Sequence, residues 1–291
     1  MHLPFFRTAL AVLLTASLAA CEQEEAGPSG PAPTTPQTAT RDAHLALGNP
    51  SGATADVNRP TNYLLEKAQY SLSYHRDRGI PNWVSWHLST AWLATAARQD
   101  DFRPDATLPA GWYRVGAGSY TGSGFDRGHN CPSADRTASV ADNSATFLMT
   151  NMIPQAPRNN QQVWANLESY CRSLAGQGNE LYIIMGNYGT GGTGSNGLLN
   201  TLDAGRVTVP RRVWKVIVVL PNGTDDATRV SSSTRVIAVD TPNDNALGGN
   251  WADYRTSVDA IESATGYDLL SAVAPAVQTV VEARVDTGPV Q

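Results

Sequence analysis

The amino-acid sequence predicts one α+β domain with a central antiparallel sheet flanked by helices. Three observations carry this expectation. Gln69–Tyr74 and Asn82–Leu88 alternate polar with apolar residues and are rich in aromatics, and the intervening His75–Pro81, HRDRGIP, reads as a hairpin turn. Glu180–Gly186, Val213–Leu220 and Arg235–Val239 are apolar runs of strand length, with Pro221–Ser233 as the turn between the last two. Between these two groups, Gln161–Leu174 sets Val163, Leu167 and Leu174 at helical spacing. No internal repeat or second shift of composition divides the chain, so residues 42–285 form one domain with a short tail, 286–291.

In chain order, the 291 residues begin with Arg7 and an apolar run from Thr8 to Ala20. That run is too short to span a bilayer and reads as an export signal over residues 1–20. Its ending, Leu18-Ala19-Ala20-Cys21, resembles a bacterial lipobox, which implies a lipid on Cys21 and a membrane anchor; an ordinary signal peptide with an incidental cysteine is the alternative. Residues 21–41 are rich in Pro, Gly, Thr and acidic residues and read as a flexible tether. The protein is therefore expected outside the cytoplasm, as a membrane-anchored lipoprotein or a periplasmic or extracellular species.

Within the domain, Thr90–Arg98 is Ala-rich and fits no single element, and Gln99–Gly111 is expected to be a loop. Thr146–Asn151 reads as a short buried strand. Asn187–Gly197 is a Gly-rich surface loop that lacks the lysine and following helix of a phosphate-binding loop. Trp251–Thr265 reads as one amphipathic helix with Trp251, Tyr254, Val258 and Ile261 on its stripe. Ala272–Arg284 is a further helix, with Pro275 tolerable only near its start.

The formal charge of −5 excludes a general basic field for nucleic acid. Every basic residue from Arg98 to Arg172 is nonetheless an arginine, the side chain suited to bidentate phosphate contacts. In an exported protein Cys131 and Cys171 could form a bridge or stay as two buried thiols, and both readings stand. No CxxC or HxxxH spacing supports a structural zinc site.

The chemistry concentrates between Gly124 and Glu168. Asp126-Arg127-Gly128-His129 ends 31 residues before Asn160, and Glu168 follows eight residues after Asn160. Histidine titrates near neutrality and can take a proton from water. A hard divalent cation needs only one or two protein oxygens, and an asparagine carbonyl can supply one. Arginines can offset charge that develops on a phosphate. Taken singly these residues have ordinary structural readings: Arg127 pairing with Asp126 or Asp135, Glu168 as a solvated helix residue, Arg98 as surface charge, and an asparagine at a helix start as a cap.

Together, Asp126–His129, Thr150-Asn151-Met152-Ile153-Pro154-Gln155, Asn160 and Trp164–Glu168 resemble the DNA/RNA non-specific endonucleases of the ββα-metal type, most closely the sugar-non-specific branch of filamentous cyanobacteria. The resemblance spans most of residues 44–285 and implies a ββα-metal nuclease fold and a metal-dependent endonuclease acting on DNA and RNA without sequence or sugar preference. Products would carry 5′-phosphates. It implies His129 as general base, Asn160 as ligand of Mg²⁺ (with Mn²⁺ as substitute), and Arg127 as a phosphate contact. It further implies Glu168 as holder of metal-bound waters and Arg98 as transition-state arginine. Asn159 is the neighbouring competitor for the metal. Asp126 is expected to fix the turn through backbone hydrogen bonds, and Asn151 to support the base or the fold. A binding lipoprotein without catalysis and a phosphodiesterase for small substrates are the rival readings; no inhibitor partner can be read from the sequence.

Overall fold

The computed structural model describes residues 1–2 and 38–290. The expected export signal, Cys21 and most of the tether lie outside the described residues. Among those described, no helix is long and apolar enough to cross a membrane.

The aromatic segments form the expected hairpin, β2 (Ser71–His75) and β3 (Ile80–Leu88), and an unanticipated strand, β1 (Tyr63–Glu66), pairs with β2. Gly79 makes the turn at φ +66°, and a Cβ there would lie 2.4 Å from Arg206 O, so both backbone angle and space require glycine. Two strands then leave the sheet, β4 (Asp126–His129) and β5 (Met152–Gln155). The chain returns as β6 (Asn179–Tyr188), and the Gly-rich loop and the residues after it carry the small pairs β7 (Gly192–Gly194) with β8 (Gly197–Leu199) and β9 (Thr201–Leu202) with β10 (Val207–Thr208). β11 (Arg212–Pro221), β12 (Arg235–Pro242) and β13 (Arg255–Thr256) complete a seven-stranded sheet in the order β1-β2-β3-β6-β11-β12-β13, antiparallel throughout.

The helices are α1 (Val140–Ala145), α2 (Ala165–Gly176), α3 (Asp226–Arg229), α4 (Val258–Thr265) and α5 (Pro275–Val281). Pro275 opens α5, where its missing N–H costs nothing. The sheet is covered on both faces, which is why every residue of β3 is buried. Val84, Trp86 and Leu88 join one core with Ile153, Trp164 and Leu167; Trp83 joins the other with Trp214, Val258 and Ile261. Each large apolar side chain so placed contributes about 1.5–3 kcal/mol of burial.

Three expectations are corrected. Thr146–Asn151 is not a strand: Thr146 caps α1, with its Oγ1 donating to Asn143 O at 2.7 Å, and Met149–Asn151 is a 3₁₀ turn leading into β5. Its apolar residues are buried because the turn is sunk in the core, not because the chain is extended. Trp251–Thr265 is not one helix. Trp251 belongs to the first core and Val258 to the second, so the chain must cross the sheet edge between them, as β13. Ser257 then caps α4 by accepting from Ala260 N. Finally, the turn at Pro221–Ser233 contains α3.

The ends of the domain are tied down. Ser89 Oγ donates to Thr40 O, at the start of the domain, and Arg235 donates to both oxygens of Asp286 at 2.9 Å near its end.

Candidate active site

β4 and β5 form an antiparallel ribbon with Asp126 opposite Gln155 and His129 opposite Met152. Gly128 is required by close approach: a Cβ there would lie 2.3 Å from Gln155 Oε1 and 2.6 Å from Gln155 Cβ. After β5 the chain turns helical at Pro157, makes a π turn over Asn159–Trp164 and continues as α2. Asn243 and Asn245 fasten this junction to the sheet side, accepting from Ala156 N at 2.7 Å and Arg158 N at 2.9 Å. α2 buries Leu167, Tyr170, Cys171, Leu174 and Ala175, the spacing of one apolar face. Two strands and a helix thus carry Asp126, Arg127, His129, Asn160 and Glu168 as one unit.

His129 sits in an aromatic box. Its ring meets Phe147 edge-on at 4.9 Å between centroids and Phe102 at 5.6 Å. The two arginines lie on those same rings: Arg98 Cζ is 4.9 Å from the Phe147 centroid and Arg127 Cζ is 4.0 Å from that of Phe102. Arg98 is further held by Asp100 at 2.7 Å and Ser133 at 2.8 Å. Arg127 Nη1 donates to Ala117 O at 3.2 Å. It pairs with neither Asp126 nor Asp135, the structural partners that its sequence neighbourhood offers. Nε2 of His129 is buried and has no hydrogen-bond partner among the described residues. Burial, then the charges of Arg98 and Arg127, lower the histidine pKa to about 3, so the ring is neutral and able to accept a proton. A small hollow of about 170 Å³ opens beside the strand, lined by Ala117, Tyr120, Thr121, Phe125, Asp126 and Arg127.

Asn160 and Asn159 part company at the π turn. Asn159 is fully buried and spends its amide on Thr241 and Pro242 O. Asn160 donates Nδ2 to Asp126 Oδ2 at 2.8 Å, and Gln161 Nε2 donates to the same oxygen at 2.9 Å. Asp126 thus acts through side-chain amides of the helix start, not through the backbone bonds expected for it. A carboxylate only accepts, so the NH₂ end of Asn160 must face Asp126 and its carbonyl oxygen is turned away, accepting no hydrogen bond among the described residues. A neutral carbonyl oxygen beside a carboxylate fits a hydrated hard cation.

Glu168, expected near the metal, accepts from Lys215 Nζ at 3.1 Å. Lys215 is a fully buried lysine of β11, flanked by the rings of Trp86 and Trp164. Burial raises the Glu168 pKa, and Lys215 opposes that rise. Beside it, Asp135 accepts from Arg172 at 2.9 Å and from Trp86 Nε1 at 3.0 Å. Lys215, Asp135, Arg172, Phe102 and Phe147 escaped the sequence reading as members of the site. Only Lys215 left a signal, as the one charge inside the apolar run Val213–Leu220.

Asn151 holds the chain just past the base: its side chain accepts from Cys131 N at 3.0 Å and donates to Cys131 O and Thr146 O at 2.9 Å each. Cys131 and Cys171 are free, buried thiols, each with its pKa pushed up to about 12 by burial. A wider hollow of about 660 Å³ lies beside α2 and Trp251, and its lining contains no acid or histidine.

The family described as DNA/RNA non-specific endonuclease matches residues 50–276. A nuclease of Nostoc sp. is 54% identical over 243 residues, covering 84% of this chain and 86% of the relative. Nuclease C1 of Cunninghamella echinulata is 36% identical over 168 residues, 55% of this chain and 66% of that protein. Among solved structures, EndoG in its complex with EndoGI superposes with a TM-score of 0.63 at 22% identity, covering 79% of this chain and 91% of that one, which shows a shared fold.

Proposed function

Because the chain belongs to the DNA/RNA non-specific endonuclease family and is a nuclease, we propose that it is an exported, metal-dependent endonuclease that cuts DNA and RNA alike and leaves 5′-phosphates. The observation that carries this reading is the box that sets a neutral His129 between two arginines, with the turned-out carbonyl of Asn160 one hydrogen bond from the same strand. With Nε2 buried and without a hydrogen-bond partner among the described residues, Nδ1 is the nitrogen left to take a proton from water. Arg98 and Arg127 bind the scissile phosphate and the charge that develops on it. That phosphate also cancels part of the positive charge that depresses the histidine, so substrate binding strengthens the base at the moment it is needed.

Asn160 Oδ1 would hold a Mg²⁺ or Mn²⁺ ion, with Glu168 orienting its waters. When bound, such an ion supplies neutralisation of the phosphate and the leaving oxygen. None of these groups requires a 2′-hydroxyl, so both sugars fit. Export, and a lipid on Cys21, rest on the apolar run Thr8–Ala20 and the residues ending in Cys21. The functional test is cleavage of circular single-stranded DNA, plasmid and RNA with Mg²⁺, Mn²⁺ or EDTA. Cutting of all three only with metal, with product ends that accept no further 5′-phosphate, is the expected result. Exonuclease-only action on linear ends, or cutting in EDTA, would overturn it.

A further inference from the structure

On the sheet face opposite β4 and β5, the end of α5 returns to the start of α4. Asp259 N donates to Glu282 O at 3.1 Å, and Glu262 Oε1 accepts from Leu269 N at 2.7 Å, so the carriers of three carboxylates are fixed relative to one another. One oxygen from each of Asp259, Glu262 and Glu282 lies within 4.8 Å of the others. Glu282 is only 6% exposed, and its Oε1 is buried with no hydrogen-bond partner among the described residues.

Among the described residues, other buried carboxylates are given cations: Asp105 has Lys67, Glu180 has Arg229, and Asp286 has Arg235 and Arg255. Glu282 instead faces Glu262, Asp259 and Asp268. Burial and then these three carboxylates push its pKa up to about 7, and burial likewise raises Glu262. We propose that Asp259, Glu262 and Glu282 hold a Ca²⁺ ion that staples the end of α5 to α4. The all-oxygen set suits a hard cation. Two Ca²⁺–O bonds of about 2.4 Å span the observed separation, whereas octahedral Mg²⁺ demands a tighter cage. Asp259 is exposed and leaves one side open to water ligands and exchange. This site is separate from His129 and Asn160, and the proposal does not depend on the nuclease chemistry.

The test is the thermal unfolding midpoint of the full chain in EGTA and in Ca²⁺ up to millimolar levels, for the native protein, Asn160→Ala and Glu282→Gln. Ca²⁺ is expected to raise the midpoint of the native protein and of Asn160→Ala by about 3 °C or more at tenfold excess over its dissociation constant. Glu282→Gln removes the buried like-charge repulsion, so it should melt higher than the native protein in EGTA and show no Ca²⁺ increment. No increment in the native protein overturns the proposal, as does an increment lost in Asn160→Ala but kept in Glu282→Gln. Should Glu282→Gln not fold, Asp259→Asn at the exposed lip decides: loss of the increment supports the site, and retention overturns it.

Discussion

Asp126 Oδ2 accepts from Asn160 Nδ2 at 2.8 Å, and this one bond decides which end of the asparagine amide faces outward. The acid and the amide lie far apart in sequence, on a strand and on the first turns of a helix, and neither is informative alone. Joined, they present a carbonyl oxygen with its rotamer fixed.

If Asp126 works by orienting Asn160, Asp126→Ala should leave the fold intact and weaken metal-dependent activity by about 10–100-fold, the usual loss when the partner of a ligand is removed. A metal titration of initial rates checks this: the half-saturating Mg²⁺ concentration should rise. An unchanged titration would separate Asp126 from the metal.

Lys215, fully buried, and Glu168, half-buried, form an ion pair whose halves cannot be removed singly without penalty. Lys215→Met should destabilise the protein by about 1–3 kcal/mol, because Glu168 loses its charged hydrogen-bond donor. The double variant Lys215→Met with Glu168→Gln should recover much of that loss. Denaturant unfolding of the three variants measures the coupling, and additive losses would show that the two residues act independently.

The pH behaviour of His129 follows from its box. Its pKa in the folded protein, about 3, lies well below the usual 6.5, so the folded state prefers the neutral ring. The stability that this brings is present above about pH 6.5 and is lost as pH falls from there towards 3. Ring proton shifts followed by NMR should show no titration of His129 between pH 5 and 8 in the free protein. A phosphodiester bound against Arg98 and Arg127 should raise the midpoint. A free-protein midpoint near 6.5 would contradict the box as described.

Cys131 and Cys171 are buried thiols with no tendency to ionise near neutrality. Both should be inert to a thiol reagent in the native protein and react fully after unfolding. The unfolding midpoint should not change with reductant; a fall on reduction would reveal a bridge.

The sheet was legible because its strands are long, apolar and bounded by turns, as in Glu180–Gly186 and Val213–Leu220. Where the expectation broke, tertiary placement had overridden local pattern. Trp251 to Ile261 keeps a helical stripe, yet its two halves serve opposite faces of the sheet. Phe147 and Met149 are apolar enough for a strand, but the Thr146 cap and the 3₁₀ turn bend the segment. In the candidate site, Asp126 to His129 and Asn160 were readable because their residue types and order are distinctive. The box of Phe102 and Phe147 and the Lys215–Glu168 pair were not, since they join residues from separate elements and depend on side-chain direction.

The central claim is that His129 is the proton acceptor of an endonuclease, and one comparison tests it most directly. Native protein and His129→Ala, matched in circular dichroism and unfolding midpoint, are assayed on circular single-stranded DNA with saturating Mg²⁺ or Mn²⁺. The predicted result is a loss of about 10²–10⁴-fold in rate with the metal requirement unchanged, the range expected when a general base is removed. Activity retained within about tenfold by a folded variant would contradict the claim, because general-base removal costs more than that.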